Sequence, residues 1–173
     1  MSKIEEFITI ATARGWNFYH FTDVRNLDSI RTRGLLAMSE IKQLGLSVVT
    51  GGNKWSLDAD VSKGMDRYVH LCFMSQHPME FRAKEERRIE VSRFLRIDPS
   101  VLRLSGVLIS TNVSNKADAA YGPAESVIEE VDQEVIYTKT DWKNAAIKAR
   151  LLAAKKCEIL VPQSVPTEYI KSF

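Results

Sequence analysis

The chain carries little that announces its chemistry, and each absence removes a class of protein. Two cysteines, Cys72 and Cys157, in 173 residues are too few for a disulfide framework. Both lie in apolar runs that read as strands, so buried thiols in a reducing compartment are expected, not a bridge or a metal pair. No apolar run approaches the roughly 20 residues of a spanning helix. The N-terminus lacks the basic-then-apolar pattern of a signal peptide. The expectation is a cytoplasmic protein with no membrane association. A phosphate loop of the GK[ST] type, a G-x-G-x-x-G after a strand, an H-E-x-x-H and a G-x-S-x-G are all missing. The three histidines, His20, His70 and His77, have no cysteine or carboxylate cluster beside them, so no metal site is expected. Net charge is only +2, which does not mark a nucleic-acid binder. With no repeat, low-complexity tract or linker, residues 1–173 read as a single domain, long enough to bury a core without staples.

What is present has local order. Ser2–Arg14 predicts a capped helix with Ile4, Phe7, Ile8 and Ala11 inward and Gly15 as its stop. Trp16–Phe21 predicts the first strand. Thr22 or Asp23 then caps a helix whose Val24, Leu27 and Ile30 share a face, and Gly34 ends it. Ser39–Leu44 reads as a short helix or turn. From Gly45 to Asp66 periodicity fails, and a long irregular loop is expected, of a length that is often functional. Tyr68–Met74 reads as a strand, and Pro78 opens a short helix. Arg88–Ile97 reads as a strand with a bulge near Phe94, and Gly106–Thr111 as another strand. Asn112–Pro123 reads as a second polar loop and Ala124–Glu130 as a helix. Glu134–Thr138 reads as a strand, Asp141–Lys156 as a helix and Cys157–Val161 as the last strand. Pro162 and Pro166 punctuate a tail that Tyr169, Ile170 and Phe173 can dock. Helices and strands mix without βαβ alternation, which favours an α+β fold with a mainly antiparallel sheet.

Three features could carry chemistry. His20-Phe21-Thr22 sits at a strand-to-helix junction, where backbone groups are free to meet a ligand; the plainer reading is a core histidine bonded to backbone. Glu158 stands in a mostly apolar strand, sharing a face with Leu160, so it is either exposed near an edge or held for a purpose. In the strand YVHLCFM, Tyr68, His70 and Cys72 share one face and Val69, Leu71 and Phe73 the other; an aromatic there serves the core or a stacking platform. Basic residues gather at 82–103 (Arg82, Lys84, Arg87, Arg88, Arg93, Arg96, Arg103) and at 139–156 (Lys139, Lys143, Lys148, Arg150, Lys155, Lys156). That permits a basic face, or merely solvated helix surfaces.

An early histidine, a middle strand with aromatics and a late strand with glutamate together resemble ADP-ribosyltransferases. The blocks YHFTDVRNLDSIRTRGLL, YVHLCFMSQHPM and CEILVPQSVPTEYI resemble the DarT family, toxins that ADP-ribosylate nucleic-acid bases, over about Tyr19 to Ile170. The resemblance implies an ADP-ribosyltransferase-like fold, with a split, mainly antiparallel central sheet flanked by helices. It implies NAD as co-substrate, single-stranded DNA or RNA as acceptor, a role as a toxin or anti-phage effector, and an antitoxin partner whose candidate form is a macrodomain that removes the mark. By the same resemblance Glu158 is the catalytic glutamate. His20, Phe21 and Thr22 hold the nicotinamide and its ribose, and Asn26, Ser29 and Leu36 lie near the adenosine half. The family also uses an arginine in its central loop, on the NAD phosphates. This chain departs there, with Lys63 and Arg67 as the nearest cations, and lysine brings charge without a planar fork. Phe73 or Tyr68 is the candidate aromatic against nicotinamide. Relatives of this fold that modify arginine place Glu or Gln two residues before the catalytic glutamate. Here that position is Lys156, which would repel arginine and attract phosphate. A protein or small-molecule acceptor, or a catalytically silent nucleic-acid-binding module, are the competing readings.

Overall fold

The computed structural model describes residues 1–138 and 140–173, so Lys139 of the second basic stretch lies outside the described residues. Helix α1 (Lys3–Arg14) starts where Ser2 accepts the Glu5 N–H and stops at left-handed Gly15. It buries Phe7, Ile8 and Ala11, and the Phe7 ring stacks on Phe18 with centroids 5.8 Å apart. Strand β1 (Phe18–Asp23) follows. The Asp23 side chain accepts the Arg25 N–H and so starts the turn that leads into α2 (Leu27–Arg33).

The remaining strands are β2 (Leu35–Leu36), β3 (Tyr68–Cys72), β4 (Ser92–Ile97), β5 (Leu108–Ser110), β6 (Tyr121–Pro123), β7 (Glu158–Pro162), β8 (Ser164–Val165) and β9 (Ile170–Ser172). The main sheet among the described residues runs β6-β5-β7-β3-β1-β4-β9, every pair antiparallel, and β2 with β8 forms a separate ribbon. The expected α+β class and antiparallel sheet are thus present. The expected split is visible too. β1 and β3 meet at one register pair only, Tyr19 with Cys72. Carried on, that register would set Phe21 against His70, but the ladder is not made there. Instead the His20 ring takes the His70 carbonyl at 2.9 Å.

The other helices are α3 (Met38–Gln43), α4 (Lys54–Lys63), α5 (Pro78–Glu85), α6 (Ala124–Val127), α7 (Gln133–Tyr137) and α8 (Ala145–Ala154). Five sequence expectations need correction. The 45–66 loop contains α4, capped by Asn53 and stopped by left-handed Gly64; it buries only Ser56, so it has no apolar face to betray it. Glu134–Thr138 is not a strand but lies in and just after α7, because Asp132 caps the Val135 N–H and turns a short β-branched run into a helix. Strand β4 begins at Ser92 rather than Arg88, since Arg87 has φ 54° and the Ile89 N–H turns back to the Ala83 carbonyl. Its irregularity falls at Arg96/Ile97 opposite β9, not at Phe94. The last helix starts at Ala145 with Asn144 as cap, while Asp141 only closes a turn on the Lys143 N–H.

Gly34 fixes the ribbon to the body. Its φ is +77°, and a Cβ there would overlap the Val165 carbonyl. A side chain would therefore strain the backbone and push β8 away. Gly34→Ala is expected to lower the melting temperature by about 3–10 °C, measured by thermal denaturation; a wild-type melting temperature would contradict this reading of the ribbon.

Candidate active site

A cavity of about 180 Å³ opens where β1 and β3 part. Glu158, His20, Phe21, Thr22, Asn26 and Leu36 all line it, as does Tyr68. Ser29 lines a smaller adjoining cavity of about 70 Å³ that shares His20, Thr22, Asn26 and Leu36. The structure therefore brings the early block and the late glutamate to one place, although they are far apart in sequence.

Glu158 is 3% exposed, because β7 lies between β5 and β3 inside the sheet. Of the two alternatives open in the sequence, it is the held carboxylate and not the edge one. Its Oε2 accepts the Ser114 N–H at 2.8 Å and lies 3.5 Å from His70 Nδ1. Its Oε1 faces His77 Nε2 at 3.7 Å. Burial pushes the Glu158 pKa up, but His70's hydrogen bond and charge, His77 and the Ser114 N–H outweigh it and hold the value at about 2. A carboxylate so provided with partners stays ionised where a bare one could not.

The histidines divide the work. His70 Nε2 donates to the Met65 carbonyl at 3.0 Å, and its Nδ1 faces Glu158 and the Ser114 hydroxyl. Burial pulls its pKa down, but Glu158's hydrogen bond and charge, then Asp60's charge and the Met65 carbonyl, raise it to about 9. His70 is thus an imidazolium opposite Glu158. His20 is the reverse case. Burial, helped by the charge of His70, brings it down to about 4 against the pull of the His70 carbonyl. Neutral His20 donates from Nδ1 to that carbonyl, which leaves Nε2 as an acceptor. In His77, Nδ1 accepts the Met79 N–H, so its proton sits on Nε2, toward Glu158. Burial also lowers the His77 pKa.

The outer wall is the 48–52 loop, and Asn26 holds it. The Asn26 amide donates to the Val49 carbonyl at 2.8 Å and to Thr22 Oγ1 at 3.0 Å, and its oxygen accepts the Val49 N–H at 3.0 Å. Asn26 is thereby occupied as a clamp. Gly51 packs on the Phe21 ring so closely that a Cβ would lie 2.6 Å from it. Phe21 also lies nearly parallel to His77, with centroids 6.0 Å apart.

Two proposed site residues lie elsewhere. Phe73 is buried edge-on against Phe18 in the core and lines a separate cavity with Tyr19 and Trp142, because it points to the opposite sheet face from His70 and Cys72. Of the two aromatics considered, Tyr68 is the one at the cavity, and Phe21 is a third that the sequence placed only as part of its block. Lys63 points away and donates to the Lys116 carbonyl. Arg67 is exposed and does not line the cavity either. No lysine or arginine is among the lining residues. His70, His77, Ser114 and Asp60 are the residues that sequence reasoning missed. The one available signal was that His70 and Cys72 share a face, which the β3–β7 register, Cys72 opposite Glu158, turns toward the glutamate. Among the described residues no group of three or more His, Cys, Asp and Glu side chains could hold a metal ion. Burial raises both thiols, with Glu158's charge adding to it, and both cysteines are free and buried.

Because the folded pKa of His70 lies above its ordinary 6.5, its stabilisation is complete below pH 6.5 and is lost as pH rises through about 9. Wild-type stability to urea should fall over that window, and His70→Gln should flatten the fall. An equal decline in the variant would show that His70 is not charged in the folded protein.

Comparison with known proteins identifies the family and the fold. A family model described as "ssDNA thymidine ADP-ribosyltransferase, DarT" matches residues 19–173. No curated protein matches the sequence. Among solved structures, Thermosipho africanus DarTG in complex with ADP-ribose superposes with a TM-score of 0.67 at 18% identity, covering 90% of this chain and 42% of that one. The chain therefore spans less than half of that protein's length. Thermus sp. 2.9 DarT in complex with ADP-ribosylated ssDNA gives 0.66 at 16% identity, covering 89% and 78%. The same protein in complex with NAD+ gives 0.59 at 18%, covering 88% and 78%. At these identities the structures speak for the fold; the family model, which takes in all but the first helix and its turn, shows that this chain belongs to the DarT family of ssDNA thymidine ADP-ribosyltransferases.

Proposed function

We propose that this chain, acting as one ADP-ribosyltransferase domain, moves ADP-ribose from NAD to a thymidine base of single-stranded DNA. The observation that carries the reading is Glu158, ionised and buried at the floor of the cavity between β1 and β3. Breaking the nicotinamide–ribose bond sends the bonding pair to nicotinamide and leaves oxocarbenium character on the sugar, as in glycoside cleavage. An ionised carboxylate next to a ribose hydroxyl stabilises that charge. Oε2 is engaged by Ser114 and His70, whereas Oε1 has only His77 at 3.7 Å and keeps acceptor capacity. The depressed basicity of Glu158 suits charge stabilisation better than proton removal. A base nitrogen then attacks the open sugar face, forming its bond to the anomeric carbon, and its proton passes to solvent.

The cavity fits the nicotinamide end of NAD. His20 offers an acceptor, Thr22 a hydroxyl and Phe21 a ring, and Gly51 and Gly52 bring bare backbone to the wall. It fits the diphosphate less well, since the loop cations Lys63 and Arg67 are turned away. Ser29, in the adjoining cavity, and Leu36, at its junction with the main one, are in reach of the adenosine half. Stacked bases are shielded in a duplex, so a single strand is the expected acceptor, and the family description favours DNA over RNA. On this reading the protein works in the cytoplasm as a toxin or phage-defence effector, a role that membership of the DarT family supports. The name DarTG, carried by the Thermosipho africanus structure in complex with ADP-ribose, supports an antitoxin partner, a macrodomain being the candidate. Both cysteines are free and buried, as expected of thiols in a reducing compartment.

With labelled NAD and a thymidine-containing single-stranded oligonucleotide, Glu158→Gln should lose ~10²–10³ in transfer rate while circular dichroism shows a folded protein. Full activity in that variant would remove Glu158 from catalysis. Label on protein or a small molecule, with none on DNA, would instead overturn the acceptor assignment.

A further inference from the structure

A second cavity, about 420 Å³, adjoins the first and shares Met79, Val113 and Asn115 with it. Its rim joins parts of the chain that the sequence gives no reason to associate: the start of α4, the face of α5, the 112–118 loop and the residue two before Glu158. The side chain of Asn115 donates to Ser56 Oγ at 3.0 Å and ties the loop to α4, forming the wall between the cavities. The two cavities thus share a wall, and a chain lying in the second can present a residue to the first.

The rim is basic and carries one large exposed ring. Trp55, in the first turn of α4, is 67% exposed, and indole is a side chain enriched where a partner covers it. Arg82, Lys116 and Lys156 also line this cavity and, among the described residues, have no ion-pair partner. Arg88 is held by Glu86 through Nε at 2.8 Å, which leaves its buried Nη1 without a hydrogen-bond partner. Asp118 is the one acidic side chain on the rim, and it faces the Asn112 amide at 3.4 Å. By contrast, other cations of the two basic stretches are spent on structure: Arg103 pairs with Glu5, Lys84 with Glu80, and Arg150 with Asp132 and Glu134. Arg82 and Lys156 of those stretches, joined by Lys116, stay unpaired along this one groove. Cations along a groove with an exposed aromatic at its edge are the physical requirements for tracking a single strand, phosphates on the cations and a base on the ring.

We propose that the second cavity is the path of the single-stranded acceptor, with Trp55 stacking a base that flanks the modified one, and Arg82, Lys116, Lys156 and Arg88 taking backbone phosphates. This rests on the function proposed above and adds to it the residues that would seat the strand. Lys156 thereby acquires a role beyond its distance from Glu158 in sequence. Trp55 sits where the acceptor strand would have to pass before entering the cavity between β1 and β3. A duplex offers no free base face, so it would gain from the cations but not from the ring.

Binding and transfer, measured separately on the full chain with a fluorescein-labelled thymidine-containing oligonucleotide, test this. Trp55→Ala should weaken single-strand binding about tenfold to a hundredfold, with a smaller effect on a duplex, and should raise KM for the oligonucleotide far more than KM for NAD. Lys156→Gln and Arg82→Gln should each reduce the slope of log K against log salt by about 0.7. The oligonucleotide should quench tryptophan fluorescence in Trp142→Phe but not in Trp55→Phe. Wild-type affinity and quenching in the Trp55 variants would overturn the path, even with transfer intact. Trp55-dependent binding without any transfer would leave the path standing and overturn the activity.

Discussion

The structure depends on a charge that would not normally be buried. An ionised carboxylate inside a sheet carries a large desolvation cost unless it is paired and hydrogen-bonded. Glu158 meets both conditions through three elements: His70 on β3, Ser114 in the 112–118 loop and His77 ahead of α5. Each is thereby fixed relative to the others. The loop that supplies the Ser114 N–H is in turn tied to α4 by Asn115, and His70 is anchored on the Met65 carbonyl just before β3. A buried pair of this kind is weak evidence for stability. Its more consistent use is to hold one group in one charge state at one place, which is what a site for a developing cation requires.

The gap in the sheet is the second half of the same arrangement. Where the ladder between β1 and β3 ends, His20 stands in for the missing backbone bond by donating to the His70 carbonyl. That carbonyl belongs to the residue whose side chain faces Glu158. The two histidines are therefore coupled: a proton on the His70 ring helps keep His20 neutral. Neutral His20 retains an acceptor nitrogen, and ionised Glu158 retains an acceptor oxygen, both in one cavity. Asn26 closes the cavity from the far side through the Val49 backbone, and Gly51 lets the loop sit on Phe21.

Much of this was legible in the sequence, and the misses have physical causes. The capped helix after Ser2, the strand YVHLC, and the junction of His20 with α2 follow from caps and periodicity, which are local. Glu158 stood out because a carboxylate in EILV demands an explanation. What could not be read was register. His70 was placed on a face with Cys72, but only the pairing of Cys72 with Glu158 turns that face to the glutamate. Helix α4 was hidden because nothing on it but Ser56 is buried, leaving only Asn53 and Gly64 as signals. Phe73 is a candidate platform only because the resemblance asks for an aromatic against nicotinamide; an aromatic on such a strand is usually core, and the face it shares with Leu71 puts it there. The departure noted around Lys63 persists in three dimensions, since the lysine turns to the Lys116 carbonyl and His70 supplies positive charge beside Glu158.

The central claim is that the parting of β1 and β3 holds NAD with its reacting ribose at Glu158. A crystal structure with carba-NAD+, which cannot release nicotinamide, tests it most directly. The account predicts a ribose hydroxyl of the nicotinamide half within hydrogen-bond distance of Glu158, with His20 on the nicotinamide side and the 48–52 loop over the dinucleotide. A dinucleotide seated elsewhere, or one whose ribose is separated from Glu158 by an intact His70–His77 cluster, would contradict it.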